Sequence, residues 1–180
     1  MNSQIILEVR DGGEFVGYIP KEEGHTGEGR RHLAIAVLIY NSKGQVLLQR
    51  RKHKIFDNIW DITGATHPLH KEDGTDETLE EATRRCLEGE WDIRDIKDIK
   101  ILGNFNYFAK YENMCENEHC YLLIGEYNGD IDLNSGMGYE YKWTDKFKFL
   151  EDIKSQTQNF TPWAIKSVEI LEKASFFTNR

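Results

Sequence analysis

The run from Leu33 to Tyr40 is apolar at every position, and Asn41-Ser42-Lys43-Gly44 separates it from a second β-rich stretch, Gln45 to Gln49. Eight apolar residues fall far short of the ~20 that a bilayer span requires, so the run belongs to a protein core. A turn of Asn, Ser and Gly between two β-rich segments predicts a tight antiparallel hairpin at the centre of that core. A chain built around such a hairpin must form a sheet.

The remaining segments supply partners for it. Ile5 to Val9 and Phe15 to Ile19 alternate apolar with polar residues around Gly12-Gly13 and predict an opening hairpin. Lys21 to Arg31 contains Gly24, Gly27 and Gly29, shows no periodicity and reads as a loop. Trp60 to Thr66 reads as a short strand and Pro68 to Asp76 as an irregular loop. From Thr78 to Glu88, Leu79, Ala82, Cys86 and Leu87 recur on one face, predicting a helix capped by Thr75 or Asp76 and ended by Gly89. Three further strands are expected at Ile101 to Ala109, Glu118 to Tyr127 and Tyr139 to Trp143. Helices are expected over Lys148 to Lys154 and Thr161 to Ala174, the second opened by a Thr-Pro pair. The sum is an α/β fold, a mixed β-sheet sandwiched between α-helices.

Composition narrows the function classes. With 180 residues, 39% hydrophobic and 30% charged, the chain has the makeup of one globular domain, neither disordered nor fibrous. The N-terminus lacks the basic-then-apolar layout of a secretory signal, so a cytoplasmic location is expected. Cys86, Cys115 and Cys120 are then read as reduced thiols, and the Cys115/Cys120 spacing alone makes no zinc site. A net charge of −8 argues against nucleic-acid or membrane partners, so an anionic ligand must be met by a local basic patch. Arg50-Arg51-Lys52-His53-Lys54 is such a patch, or else a solvated loop.

His25, His32, His67, Glu116 and Glu118 are ligand types for a divalent metal and sit at the edges of expected loops and strands. Glu116 and Glu118 are two apart, so on a strand both carboxylates share a face, as chelation requires. Their flanks carry a resemblance. Lys21, His25-Thr26, Arg31-His32-Leu33-Ala34, Asn41 to Gly44, Gln49-Arg50-Arg51, Trp60, Thr66-His67-Pro68-Leu69, Glu116-Asn117-Glu118 and Thr161-Pro162-Trp163 occur in one order. In this the chain resembles the Nudix superfamily, specifically type I isopentenyl diphosphate isomerase, from about Lys21 to Trp163.

The resemblance implies a Nudix fold over 1–180, with an N-terminal extension (1–31) carrying metal-ligand histidines and a core with C-terminal helices (32–180). It also implies that His25, His32, His67, Glu116 and Glu118 bind one divalent metal, manganese, zinc or magnesium, with magnesium accompanying the diphosphate. Lys21, Arg51 and Lys54 match positions that grip a substrate diphosphate, whose charge needs fixed cations, and Arg85 is a fourth candidate contact. Glu118 matches the family's proton donor and Tyr107 its hydrogen-bonding partner. The family's isomerisation also needs a thiolate on the opposite face of the alkene, and that position here is Ala65. The resemblance further places the family's carbocation-facing tryptophan at Val168. The Nudix helix is degenerate: Arg84-Arg85 stands where Arg-Glu is usual, and either Glu88 or Glu90 is its retained ligand, with Asp76 or Glu77 upstream.

Three functions follow as expectations. Metal-dependent hydrolysis of a small organic diphosphate leads, using Glu77, Glu81, Glu88 and Glu90. The second is isopentenyl diphosphate isomerisation, with Thr63, Thr66 or water in place of the thiolate. The third is a non-catalytic diphosphate-binding pseudoenzyme. Oligomeric state and the organic group of the ligand are not readable from the residues.

Overall fold

The structure is a computed structural model that describes residues 4–178. Nine strands, β1 (Ile5–Val9), β2 (Phe15–Pro20), β3 (His32–Tyr40), β4 (Gln45–Arg51), β5 (Trp60–Asp61), β6 (Gly64–Thr66), β7 (Lys97–Tyr111), β8 (Met114–Glu126) and β9 (Gly138–Asp145), join in one mixed sheet. Four α-helices accompany them: α1 (Lys21–His25), α2 (Leu79–Trp91), α3 (Lys146–Ser155) and α4 (Pro162–Lys173).

β3 is the spine. Its alternate residues enter two separate cores: Ala34, Ala36 and Leu38 pack with Phe149, Trp163 and Leu171 from α3 and α4. Ile35, Val37 and Ile39 pack with Ala82, Leu87 and Trp91 from α2. A strand covered on both faces must be apolar throughout, which explains the uninterrupted run and the helix layers on either side.

The expected central hairpin is formed only at its base. β3 and β4 pair at Tyr40 with Val46 and then separate. β3 turns to β8, in parallel over nine residue pairs from His32↔Glu118 to Tyr40↔Glu126, and to β6. β4 turns to β9 and β5. Thr63 fills the gap: its hydroxyl accepts from the Ile39 N–H and donates to the Leu47 carbonyl, both at 2.8 Å, while its own carbonyl accepts from Gln49 and Trp91 side chains. With its hydroxyl committed twice, Thr63 is a structural stitch and not a substitute base. The expected single strand Trp60 to Thr66 is accordingly split into β5 and β6 around it.

Other corrections are local. The expected loop after β2 starts with α1, a single turn that buries His25. Helix α2 is capped by Thr78 in a capping box with Glu81, not by Thr75 or Asp76. It runs past Gly89 to Trp91 because Trp91 is fully buried, and it stops where Asp92 adopts a left-handed φ of 53°. The N-terminal hairpin joins the same sheet, since Glu8 of β1 pairs with His32 of β3. No described helix is long and apolar enough to cross a membrane.

Candidate active site

The strand register builds the first half of the site. Glu118 of β8 lies opposite His32 of β3 on one side and opposite Tyr107 of β7 on the other. Two residues earlier on the same face of β8 stands Glu116. α1 brings in His25 and the turn after β6 brings in His67. Ligand atoms of His25, His32, His67, Glu116 and Glu118 all lie within 4.8 Å of one another, and all five residues are buried.

These residues fit a divalent cation. The Lys21 carbonyl lies 2.6 Å from His25 Nδ1 and the Arg30 carbonyl 2.7 Å from His32 Nδ1, which puts the proton on Nδ1 and leaves each Nε2 lone pair turned inward. His25 Nε2 stands 3.1 Å from Glu116 Oε2, and His32 Nε2, 3.7 Å from Glu118 Oε1, is buried without a hydrogen-bond partner, a costly arrangement unless a cation completes it. Burial keeps His67 neutral, with a pKa lowered to about 3 despite the hydrogen bond to Glu118. Burial, then the Glu118 charge, pushes Glu116 up to about 7, against the pull of nearby His25. Burial favours the same protonation in Glu118, yet its contacts with His32 and His67 hold it well below the ordinary carboxylate range. Tyr107 donates to Glu118 Oε2 at 2.5 Å, and burial followed by the two carboxylate charges raises its own pKa well above normal, so it stays a donor.

The cluster opens into a cleft of about 1040 Å³. Lys21, Arg51, Lys54 and Arg85 all line it, as do Ala65, Thr66, Tyr107 and Trp163. Arg51 is buried, bonds Asp61 at 2.9 Å and lies 4.7 Å over the Trp163 ring. Asp61 also accepts from Thr161 and from the Trp163 indole at 3.0 Å, so one buried carboxylate orients both the cation and the aromatic ring. Arg85 is held by Glu77 through two hydrogen bonds of 2.7 and 2.8 Å and donates to the His67 carbonyl at 2.8 Å, tying α2 to the turn that carries His67.

A model of the NUDIX domain matches residues 30–164, three quarters of the chain. This chain belongs to the Nudix family. Isopentenyl-diphosphate Delta-isomerase from Shigella sonnei is 27% identical over 168 residues, covering 92% of this chain and 90% of the relative. The protein of that name from an Escherichia coli strain is 26% identical over 184 residues, covering 99% and 98%. Among solved structures, a Deinococcus radiodurans protein superposes with a TM-score of 0.63 at 18% identity, covering 84% of this chain and 90% of that one. A Nudix hydrolase from Nitrosomonas europaea does so at 0.57 and 15% identity, covering 79% and 88%. These two likenesses show the shared fold.

Within this Nudix fold the helix acids expected to act at phosphorus are distributed unevenly. Glu77 is spent on Arg85 and the Leu69 N–H. Glu81 caps α2 through Thr78. Glu88 points to the outer surface, 3.0 Å from Arg94, outside the cleft. Asp76 bonds His70 and Tyr18. Only Glu90, among these acids, lines the cleft, accepting from Gln49 at 2.8 Å and from Cys86 at 3.4 Å. Of Glu88 and Glu90, only Glu90 faces the cleft, because the two residue steps between them turn the side chain by about 200° around the helix.

Two further corrections concern aromatics and the basic run. Val168 is buried in the core and does not line the cleft; Trp163, in the first turn of α4, does, with its ring 6.1 Å from that of Tyr107. The cleft therefore keeps an aromatic wall. The Thr-Pro-Trp block carried that signal, and its packing role hid it. His53, part of the basic run that the sequence leaves open as a patch or a solvated loop, also lines the cleft, and so does Cys86.

Burial raises the Glu90 pKa to about 6 from an ordinary 4.5. Between those values the folded chain holds a proton that the unfolded chain has lost, so stability falls as pH rises through that window, by about 2 kcal/mol in all. Glu90→Gln is expected to add about 1–2 kcal/mol of unfolding free energy at pH 8 and almost none at pH 4.5, read by urea denaturation. An equal effect at both pH values would contradict this assignment.

Proposed function

We propose that this Nudix protein is a metal-dependent enzyme that binds a small organic diphosphate and moves protons on its organic group, as an isopentenyl diphosphate isomerase does. One observation carries the reading: Glu118 and Tyr107 form a buried, cleft-lining carboxyl–phenol pair, whereas α2 turns a single carboxylate to the cleft. Hydrolysis at phosphorus was the leading expectation from sequence. It needs at least two helix carboxylates to neutralise developing charge, and three of the four candidates are committed elsewhere.

His25, His32, His67, Glu116 and Glu118 would hold the divalent metal, whose charge would polarise the carboxyl groups around it. Lys21, Arg51 and Lys54 would take the diphosphate. Glu118 is ionised in the free cleft, so it would take up a proton as the diphosphate's negative charge enters; passing that proton to the terminal alkene carbon would generate positive charge at the neighbouring tertiary carbon, which the Trp163 face would stabilise. A second proton must leave the carbon on the diphosphate side to complete the allylic isomer. Ala65 has no group to receive it, and with Thr63 committed, the Thr66 hydroxyl or water is left. Turnover is therefore expected to be slow.

That same position favours a second reading, a diphosphate-binding protein without turnover. The test is a paired assay on metal-loaded protein, following allylic isomer and phosphate release from isopentenyl diphosphate, with and without chelator. Isomer without phosphate, lost on chelation, is the expected result. Phosphate without isomer would establish hydrolysis, and neither product would leave the binding protein.

A further inference from the structure

The basic run that ends β4 and opens the following loop divides between the surface and the cleft. Arg50 turns outward to Glu140 at 2.8 Å, and Lys52 reaches the Ser135 carbonyl at 2.8 Å. Arg51, His53 and Lys54 line the cleft together with Lys21 of α1. The loop from 52 to 59 is tightly held: Arg51 and Ile59 bond across its neck at 3.0 Å, and Asp57 accepts the His53 backbone N–H at 3.1 Å. Phe56 and Asn58 take left-handed φ values of 51° and 58°, which allow so tight a return. His53 is therefore a fixed part of the cleft wall, and its Nε2 is buried without a hydrogen-bond partner.

We propose, resting on the diphosphate reading above, that His53 is the proton-accepting member of the diphosphate grip, neutral in the free protein and imidazolium once the anion is bound. A cleft that carried a full positive charge at every member before binding would repel itself. A histidine that charges only when the ligand arrives supplies the last cation without that penalty. Burial, then the charges of Arg51 and Lys21, holds the free His53 pKa at about 4, with Asp57 alone opposing them. A bound diphosphate offsets both cations and adds its own negative charge, so the balance reverses.

The consequence is a pH dependence specific to His53. For each unit by which the bound-state pKa exceeds the working pH, the wild-type protein gains about tenfold in affinity over a variant that cannot be protonated. The experiment is calorimetric titration of inorganic pyrophosphate, with magnesium, into the full chain and its His53→Gln variant at pH 6, 7 and 8. Glutamine keeps a neutral donor, and the ligand's own ionisation cancels in the ratio. The variant is expected to bind about tenfold more weakly at pH 6 and within about twofold of wild type at pH 8. Nitrogen-detected NMR of the imidazole should show a neutral ring in the free protein and a cationic one in the complex at pH 6. A ratio that is flat with pH, or a neutral bound ring, overturns the role of His53 while leaving diphosphate binding intact. Failure of the wild-type protein to bind pyrophosphate at any of these pH values overturns the diphosphate reading and this inference with it.

Discussion

Ala65→Cys is expected to raise isopentenyl diphosphate isomerisation by at least about a hundredfold, the lower range of what a positioned acid–base group contributes. Ala65 is half-buried on β6, lines the cleft, and packs beside the core cluster that includes Tyr107 and Trp163. A sulfur added there enters cleft space rather than a filled core, so folding should be unaffected. Glu118 would then have a thiolate to complete the transfer it begins. The measurement is allylic isomer formed by the variant and wild type under equal metal loading, with Ala65→Ser as control. A hydroxyl lacking an activating partner should give no comparable gain. If cysteine also gives none, the cleft does not place an alkene between positions 65 and 118. The binding-protein reading would then stand.

Glu118→Gln is expected to lower turnover by about 10²–10⁴-fold and to weaken metal binding by at least about tenfold. The amide keeps the shape of the carboxylate but has no proton to give at any working pH. The substitution also changes what Tyr107 at 2.5 Å and His67 at 3.0 Å can bond to, within a cluster where every ligand is buried. Tyr107→Phe separates the two effects: it removes a positioning donor, not a ligand, and should slow turnover while leaving metal content near wild type. Metal analysis beside the isomer assay reads both quantities. Turnover within tenfold of wild type in Glu118→Gln would remove Glu118 from the reaction.

Much of the candidate site is legible in the sequence, because its signals are local. Glu116 and Glu118 share a face by strand alternation alone, and the blocks around His25, His32 and His67 occur in one family order. The buried strand β3 was visible as an unbroken apolar run, and α4 as a Thr-Pro start ahead of apolar spacing. The remainder depends on which distant segments meet. Glu88 and Glu90 look equivalent on paper, and only the packing of Trp91 beneath the sheet turns Glu90 to the cleft and Glu88 to Arg94. Thr63 looks like a free hydroxyl until the separation of β3 from β4 requires it as a bridge. Trp163 rather than Val168 faces the cleft because Asp61, 102 residues earlier, holds the indole N–H. His53 joins the cleft because the pinned loop after β4 returns within a few residues and faces Lys21 across it. Local periodicity, carried by the sequence, determined the sheet, and the family order of short blocks singled out the five candidate ligands and the candidate proton donor. Packing between segments far apart in the chain decided which acids, aromatics and cations the cleft presents, since a side chain's direction and charge are set by neighbours that its own stretch does not contain.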